Sequence, residues 1–198
     1  FEVAERMDGA WGRSYLANGA IKDHGYQLDQ QIFPFLELAD YTLLTGQTVT
    51  YARLRPQISA WLEGLLERRP DDGRYLFPTE ETPADDPIAY PYHFSSHLLL
   101  WHTLTQLSHI ESTVDGYDLN ALAAHVRAAI DAHFIAAYNG ENIYAYATDG
   151  DGNHHLYHDA NDIPLAYAPS WGFCPADDPT WLATVDFAFS AANIGGAV

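Results

Sequence analysis

The sequence predicts a mainly all-α chain, a toroid of paired helical hairpins that carries one small β-hairpin. Three observations lead there. Apolar residues recur at helical spacing in several separate segments. The connections between consecutive helical segments are short, which favours pairing of neighbours. One turn-rich stretch, Asp149-Gly150-Asp151-Gly152-Asn153, sits between short alternating runs. With 198 residues and 47% hydrophobic content, the chain suffices for one domain with a real core.

In chain order, Trp11 to Tyr26 reads as irregular, punctuated by Gly12, Gly19 and Gly25. Leu28-Asp29-Gln30-Gln31 opens the first helix, whose stripe is Leu28, Ile32, Phe35, Leu36, Ala39 and Leu43. Pro34 falls in its first turns, where a missing N–H costs least, and Gly46 is its expected C-cap. Thr50 to Arg69 is the second helix, buried through Leu54, Ile58, Trp61, Leu62 and Leu65. Arg68 and Arg69 suit its negative end, and Pro70 stops it. These two helices are expected to pair as an antiparallel hairpin.

Ser95 to Glu111 contains Leu98-Leu99-Leu100-Trp101 without a break, the mark of a helix buried on all sides. Its partner runs from Asp118, an N-cap, to Phe134, with Leu119, Leu122, Val126 and Ile130 in register. Ile143 to Thr148 alternates like a strand, and His155-Leu156-Tyr157 returns after the turn. Asp159-Ala160-Asn161-Asp162 caps a short helix through Leu165, with Pro169 beyond it. Asp177-Asp178-Pro179 caps the last helix, Thr180 to Phe189.

Composition narrows the function. There are 27 acids against 9 Lys plus Arg, a net charge of −18, and Lys22 is the sole lysine. Such a field repels nucleic acid and anionic membranes. Self-repulsion of this size is relieved by high salt, which points to the salt-rich cytoplasm of a halophilic microbe, with a merely acidic protein from a mesophile as the alternative. A single cysteine, Cys174, excludes an internal disulfide, and no apolar run is long enough for a membrane span. Phe1 to Met7 reads as the tail of a helix already under way, and Asn193 to Val198 as a glycine-rich loop. Both suggest a piece of a longer protein.

Several chemistries find no support. Asp149 to Asn153 starts like a calcium loop, but His154 and Ala160 stand where Gly and Glu are needed, so a tight turn is the better reading. His154, His155, His158 and Asp159 lack a metal-ligand spacing. Ser95-Ser96-His97 has no nucleophile elbow, and Cys174 has no basic neighbour. No phosphate-binding glycine loop precedes a helix, so no cofactor is implied.

Carboxylates and aromatics remain: 5 Trp, 13 Tyr and 9 Phe stand beside Asp29, Glu80, Glu81, Asp85, Asp86, Asp159 and Asp162. Ring faces stack on sugar C–H faces, and glycoside hydrolysis needs one protonated and one ionised carboxyl. The segment Pro78 to Tyr92 is a stiff acidic loop that runs straight into a buried helix. The adjacent acids Asp85 and Asp86 repel, so one can keep its proton near neutrality.

These blocks resemble the six-hairpin glycosidases, which have an (α/α)6 barrel, and most nearly their metal-independent exo-α-1,6-mannosidases. Pro83-Ala84-Asp85-Asp86, Tyr90-x-Tyr92 and Ser95-Ser96-His97 are similar to that family's Pro-Ser-Asp-Asp, Tyr-x-Tyr and Ser-Asn block. Tyr144-x-Tyr146-x-Thr148-Asp149-Gly150-x-Gly152-Asn153 and His158-Asp159-Ala160-Asn161-x-Ile163-Pro164 resemble its strand-turn and Asp-Ala-Asn-Ile-Pro block. Tyr26 to Pro34 is a weaker likeness to its early Arg-Asp-Ser loop, without the arginine. Ala84 in place of Ser and the inserted Asp162 also depart from the pattern.

The resemblance implies an inverting exo-glycosidase that uses neither metal nor cofactor, with residues 1–198 as one partial barrel. It makes Asp85 the general acid, with Asp86 tuning it or binding sugar hydroxyls. Asp29, Gln30, Tyr90, Tyr92, His97, Asp159 and Asn161 would line the carbohydrate pocket. The family's general base is a Glu in a later block, so the remainder of the barrel is an expected partner. Two alternatives stay open: another six-hairpin activity, such as an α-glucosidase or glucoamylase-like debranching enzyme, or a non-catalytic carbohydrate-binding half of a larger assembly.

Overall fold

A computed structural model describes residues 11–12, 14–23, 25–159 and 162–196. The helix tail expected at Phe1 to Met7 and the site residue Asn161 lie outside them. The stretch expected to be irregular holds a small antiparallel ribbon, β1 (Ser14–Tyr15) and β2 (Ile21–Asp23).

Helix α1 (Leu28–Thr45) buries Leu28, Ile32, Phe35, Leu36, Leu38 and Ala39. It ends, as its glycine demands, with Gly46 in the left-handed region at φ 70°. Leu43, placed in the buried stripe by periodicity, is instead 41% exposed. Helix α2 (Val49–Glu67) follows at once and packs on α1, with Phe35 stacked on Trp61 at 4.6 Å. The two arginines that end α2 cover aromatic rings: Arg68 lies 3.8 Å over Tyr26 and Arg69 4.7 Å over Tyr75.

Strand β3 (Tyr92–His93) leads directly into α3 (Phe94–Ile110), which is buried almost all round, as its unbroken apolar run requires. The ribbon β4 (Thr113–Val114) and β5 (Tyr117–Asp118) turns at Asp115-Gly116, both at positive φ. Asp118 then caps α4 (Leu119–His133), its carboxylate accepting from the Ala121 N–H at 3.0 Å. Helix α3 packs against α1 and against α4, so it is the central helix of the chain.

The expected β-hairpin is split. Strand β6 (Ile135–Tyr138) pairs with β7 (Glu141–Tyr144). The chain then turns at Ala145-Tyr146 into β8 (Ala147–Thr148), which pairs with β9 (His154–His155) and with β3. The Asp149 to Asn153 link is the tight turn predicted: the Asp149 carboxylate accepts from the N–H groups of Asp151 at 2.8 Å and Asn153 at 3.1 Å. Helices α5 (Ile163–Tyr167) and α6 (Pro179–Ala188) close the chain. Asp178 caps α6 through the Trp181 N–H at 2.8 Å.

The mainly all-α expectation therefore needs correction. Among the described residues, six helices stand beside nine short strands in four small sheets. Five of those strands are only the two-residue arms of β3–β8–β9 and β4–β5, too short to leave a period-two signal. No described helix is long and apolar enough to cross a membrane.

The packing has a direct test. Leu99 is fully buried in α3, and Leu99→Ala should cost about 2–5 kcal/mol in urea unfolding. Leu44 is 87% exposed, and Leu44→Ala should stay within about 0.5 kcal/mol of wild type.

Candidate active site

The acidic loop is a folded turn around the buried Thr82, and its tip, Asp85, Asp86 and Pro87, is exposed. Thr82 ties it together: its N–H donates to Asp86 O at 2.8 Å, its carbonyl accepts from Asp85 N at 3.0 Å, and its hydroxyl accepts from Ala84 N and Asp86 N. Asp85 sits at φ 65°. The other non-glycine residues at positive φ, Asp115 and Asn139, each precede a glycine in a ribbon turn. Asp85 has no such excuse, and a left-handed aspartate in a loop is the kind of local strain that functional sites retain.

The turn is fastened to the start of α1. Gln27 Nε2 donates to Thr82 O at 2.9 Å and to the Asp85 carboxylate at 2.8 Å. Leu28 N–H, an orphan donor of the helix N-terminus, is taken by Thr79 Oγ1 at 3.1 Å. Tyr26 N–H donates to the Glu80 carboxylate, and Glu80 N–H to Tyr26 O, both at 3.0 Å.

Asp29 lies in the first turn of α1, buried, with Oδ1 lacking a hydrogen-bond partner. Burial pushes its carboxyl up to about 6; the N–H groups of Asp29 and Gln30 oppose this, and the nearby Asp85 and Asp162 add to it. It lines a cavity of about 230 Å³ with Phe33, Pro83, Ser95, Ser96, Ile163 and Pro164. A wider hollow continues past Gln30, Pro34 and Glu37.

Asp162, also buried, behaves oppositely. Burial pushes it up, but His93, His158 and Ser95 together hold it below the ordinary carboxylate range. His93 Nε2 stands 3.7 Å from one of its oxygens and His158 Nδ1 3.5 Å from the other. Both rings are fixed from behind, His93 Nδ1 by Ser96 and His158 Nε2 by Tyr144 O at 3.0 Å.

The remaining expected site residues divide. Asp86 and Asp159 share a second cavity with Tyr146, His155 and Tyr157, on the far side of the turn. Tyr90 is half-buried in the loop. Tyr92 packs toward Arg74 and Gly150 and is not among the residues that line the Asp29 cavity. His97 must be corrected: it is fully buried, Nε2 accepts from Phe77 N–H at 3.0 Å, and Nδ1 donates to His93 O at 2.7 Å. Both nitrogens are spent on backbone, and burial lowers the ring to about 4, so it is a neutral structural pin. Asn161 is outside the described residues.

Sequence reasoning passed over Gln27, Thr82 and the Ser95-Ser96 wall. Gln27 precedes Asp29 by two positions, and Thr82 precedes Pro83, an arrangement of polar residues flanking a turn that could have flagged both. Among the described residues, no group of three or more His, Cys, Asp or Glu is placed to hold a metal ion.

A family-wide profile described as metal-independent alpha-mannosidase (GH125) matches residues 75–194. No curated protein matches the chain in sequence. Among solved structures, a Streptococcus pneumoniae member of the metal-independent alpha mannosidases, in a non-productive complex with alpha-1,6-mannobiose, superposes with a TM-score of 0.75 at 21% identity. The likeness, one of fold, covers 88% of this chain and 50% of that chain, so the chain spans about half that protein's length.

Asp29 offers a measurement by its titration. Its folded pKa, about 6, lies above its ordinary 3.8, so between those values the unfolded state loses the proton while the folded state keeps it. Stability attached to this group therefore falls as pH rises from about 4 to 6 and is level above. Asp29→Asn should match wild type near pH 4 and be more stable at pH 7, by on the order of 1–3 kcal/mol in urea midpoints. An equal effect at both pH values would mean that ionisation of Asp29 is not involved.

Proposed function

The chain belongs to the metal-independent α-mannosidases, and on that premise we propose that it forms the acid-bearing side of an exo-acting, inverting α-mannosidase site in an (α/α)6 barrel. The observation that carries this reading is Asp85 at the left-handed tip of a turn clamped to α1, beside the buried Asp29 cavity.

In this reading the terminal mannose enters the Asp29 cavity. The unpartnered Oδ1 of Asp29 accepts its hydroxyls, with Gln30 at the outer rim. Asp85 gives its proton to the glycosidic oxygen, and Gln27 fixes the direction of that carboxyl. Water attacks the opposite face of the sugar, which inverts the anomeric centre; in such enzymes the acid and base stand roughly 6.5–9.5 Å apart to admit it. The base is assigned, by family resemblance, to a Glu outside these 198 residues. Residues 1–198 alone are thus expected to bind sugar and turn it over weakly or not at all, and the chain spanning half its structural relative favours that second, non-catalytic reading for the isolated piece. The family description supports a reaction with no metal.

Asp85→Asn in the full-length protein should lower kcat on α-1,6-mannobiose by about 10²–10⁴-fold with an unchanged melting curve. A 2,4-dinitrophenyl mannoside, whose leaving group needs no proton, should lose far less. Wild-type rates on mannobiose would reject the assignment.

The acidic surface supports the salt-rich cytoplasm read from the composition: Glu63, Glu67, Asp71, Asp131, Glu141 and Asp186 are all exposed. The unfolding midpoint should climb as KCl is raised, because screening relieves repulsion among the acids. A midpoint insensitive to salt would count against it.

A further inference from the structure

Two walls of the Asp29 cavity come from different elements: Ser95 and Ser96 from the first turn of α3, Ile163 and Pro164 from the start of α5. Both meet at Asp162. It stands directly before Ile163, and its carboxylate bonds the Ser95 hydroxyl. His93, the residue before α3, faces one oxygen of that carboxylate and holds Ser96 with its other ring nitrogen, 2.9 Å from Ser96 Oγ. His158 faces the second oxygen. The His158 backbone is pinned in turn: its N–H donates to Asn193 Oδ1 at 3.1 Å, and its carbonyl accepts from Asn193 Nδ2 at 2.8 Å. Asp162 is also the residue that interrupts the Asp-Ala-Asn-Ile-Pro run.

The ring nitrogens dictate where protons sit. A backbone N–H can only donate, so the Ser96 N–H, 3.3 Å from His93 Nδ1, makes that nitrogen an acceptor. A neutral His93 therefore carries its proton on Nε2, toward Asp162. A carbonyl can only accept, so His158 Nε2 donates to Tyr144 O. A neutral His158 would then aim the lone pair of Nδ1 at a carboxylate oxygen 3.5 Å away. All three side chains are buried, where such repulsion is poorly screened. The contact needs one more proton, on His158 Nδ1 or on Asp162 Oδ2. Asp29 from α1 and Tyr146 from the turn before β8 also interact with the Asp162 charge, but neither can supply a cation. A buried carboxylate keeps its charge only when it is paired, and Asp162 is held below the ordinary carboxylate range. The extra proton therefore belongs to His158.

We infer that Asp162 is a positioning residue of the Asp29 cavity: it shares one buried proton with His158, and this pair is the post on which the α3 and α5 walls are both mounted. Asp162 touches no substrate in this arrangement; it acts through Ser95 and Ile163, while His93 extends the post to Ser96. The inference rests on the glycosidase reading for what the walls grip, but not for the proton.

Three substitutions in the full-length protein separate the post from its proton. Asp162→Asn offers His93 an acceptor and a neutral His158 a donor, so it keeps the walls and loses the proton. Its KM on α-1,6-mannobiose should stay within about threefold of wild type. Nitrogen-15 spectra near neutral pH should show His158 protonated on both nitrogens in wild type, but on Nε2 alone in Asp162→Asn. Asp162→Leu keeps the volume without donor or acceptor. Its KM should rise about 10–100-fold with kcat within about threefold, because the walls grip the sugar alike before and during reaction. Should Asp162→Leu unfold, Asp162→Glu decides: it keeps the charge and the doubly protonated His158, but its extra methylene pushes the walls apart, and KM should rise by a similar factor. A wild-type KM in Asp162→Leu or Asp162→Glu overturns the post, and so does a loss in Asp162→Asn as large as in Asp162→Leu. A singly protonated His158 in the wild-type protein overturns the shared proton. A wild-type protein that cleaves no mannobiose overturns the glycosidase reading instead, and the His158 spectrum still judges the pair.

Discussion

Helix α1 begins without a cap of its own: Gln27 stands at the N-cap and makes no capping bond to the helix. The exposed donors of a helix N-terminus must nevertheless be met when they are buried. Here the acidic loop meets them from outside, through Thr79 to the Leu28 N–H, while Glu80 takes the Tyr26 N–H just before the helix. Gln27, relieved of capping, turns its amide onto Thr82 and Asp85. The helix start and the acidic turn are therefore one unit, and the position of Asp85 is set by how α1 packs on α3. His97 extends the same logic at the base of the loop, where it holds Phe77 to the first turn of α3.

Helices were legible in the sequence because burial on one face imposes a period that persists for four or five turns. The caps at Gly46, Asp118 and Asp178 were legible for local reasons, since each satisfies donors, acceptors or backbone angles within its own few residues. The strands were not. Tyr144 and Tyr146 look like one alternating run, yet they belong to different ribbons, because Ala145 N–H pairs back to Phe134 O and Tyr146 N–H forward to His155 O. Such pairing is decided by tertiary partners, which no local pattern encodes. His97 misled for a related reason: the resemblance that put it in the pocket reads order along the chain, but successive residues of a helix point to different sides. Ser95 and Ser96 reach the Asp29 cavity; His97 does not.

Two buried aspartates show which effect decides their charge. Asp29 and Asp162 are comparably shielded, at 6% exposure each. Desolvation raises both, but only Asp162 has two imidazoles and a serine hydroxyl arranged around it. Partners outweigh burial at Asp162, and burial outweighs the backbone dipoles at Asp29. The result is a pair of carboxyls in opposite states within one region, an ionised anchor under the α5 start and a protonatable group facing the cavity. In a chain with a net charge of −18, that contrast cannot come from bulk charge, which acts on both alike.

The adjacency of Asp85 and Asp86 suggested a dyad, with mutual repulsion keeping one proton in place. The folded turn sends them to different surroundings. Asp86 lines the aromatic cavity, whereas Asp85 is held by Gln27 on the side where Asp29 feels its charge. The carboxyl coupled to Asp85 is thus 56 positions away in sequence and close in space. The left-handed backbone at Asp85 is what permits this. An extended backbone would send successive side chains to opposite faces, but along a straight line; the turn does so at a tip, so that one short segment borders two cavities. Strain at a single residue is a modest cost, of order 1–3 kcal/mol. It is offset by the hydrogen bonds of Thr82 and Gln27, which would have no partners if the turn relaxed.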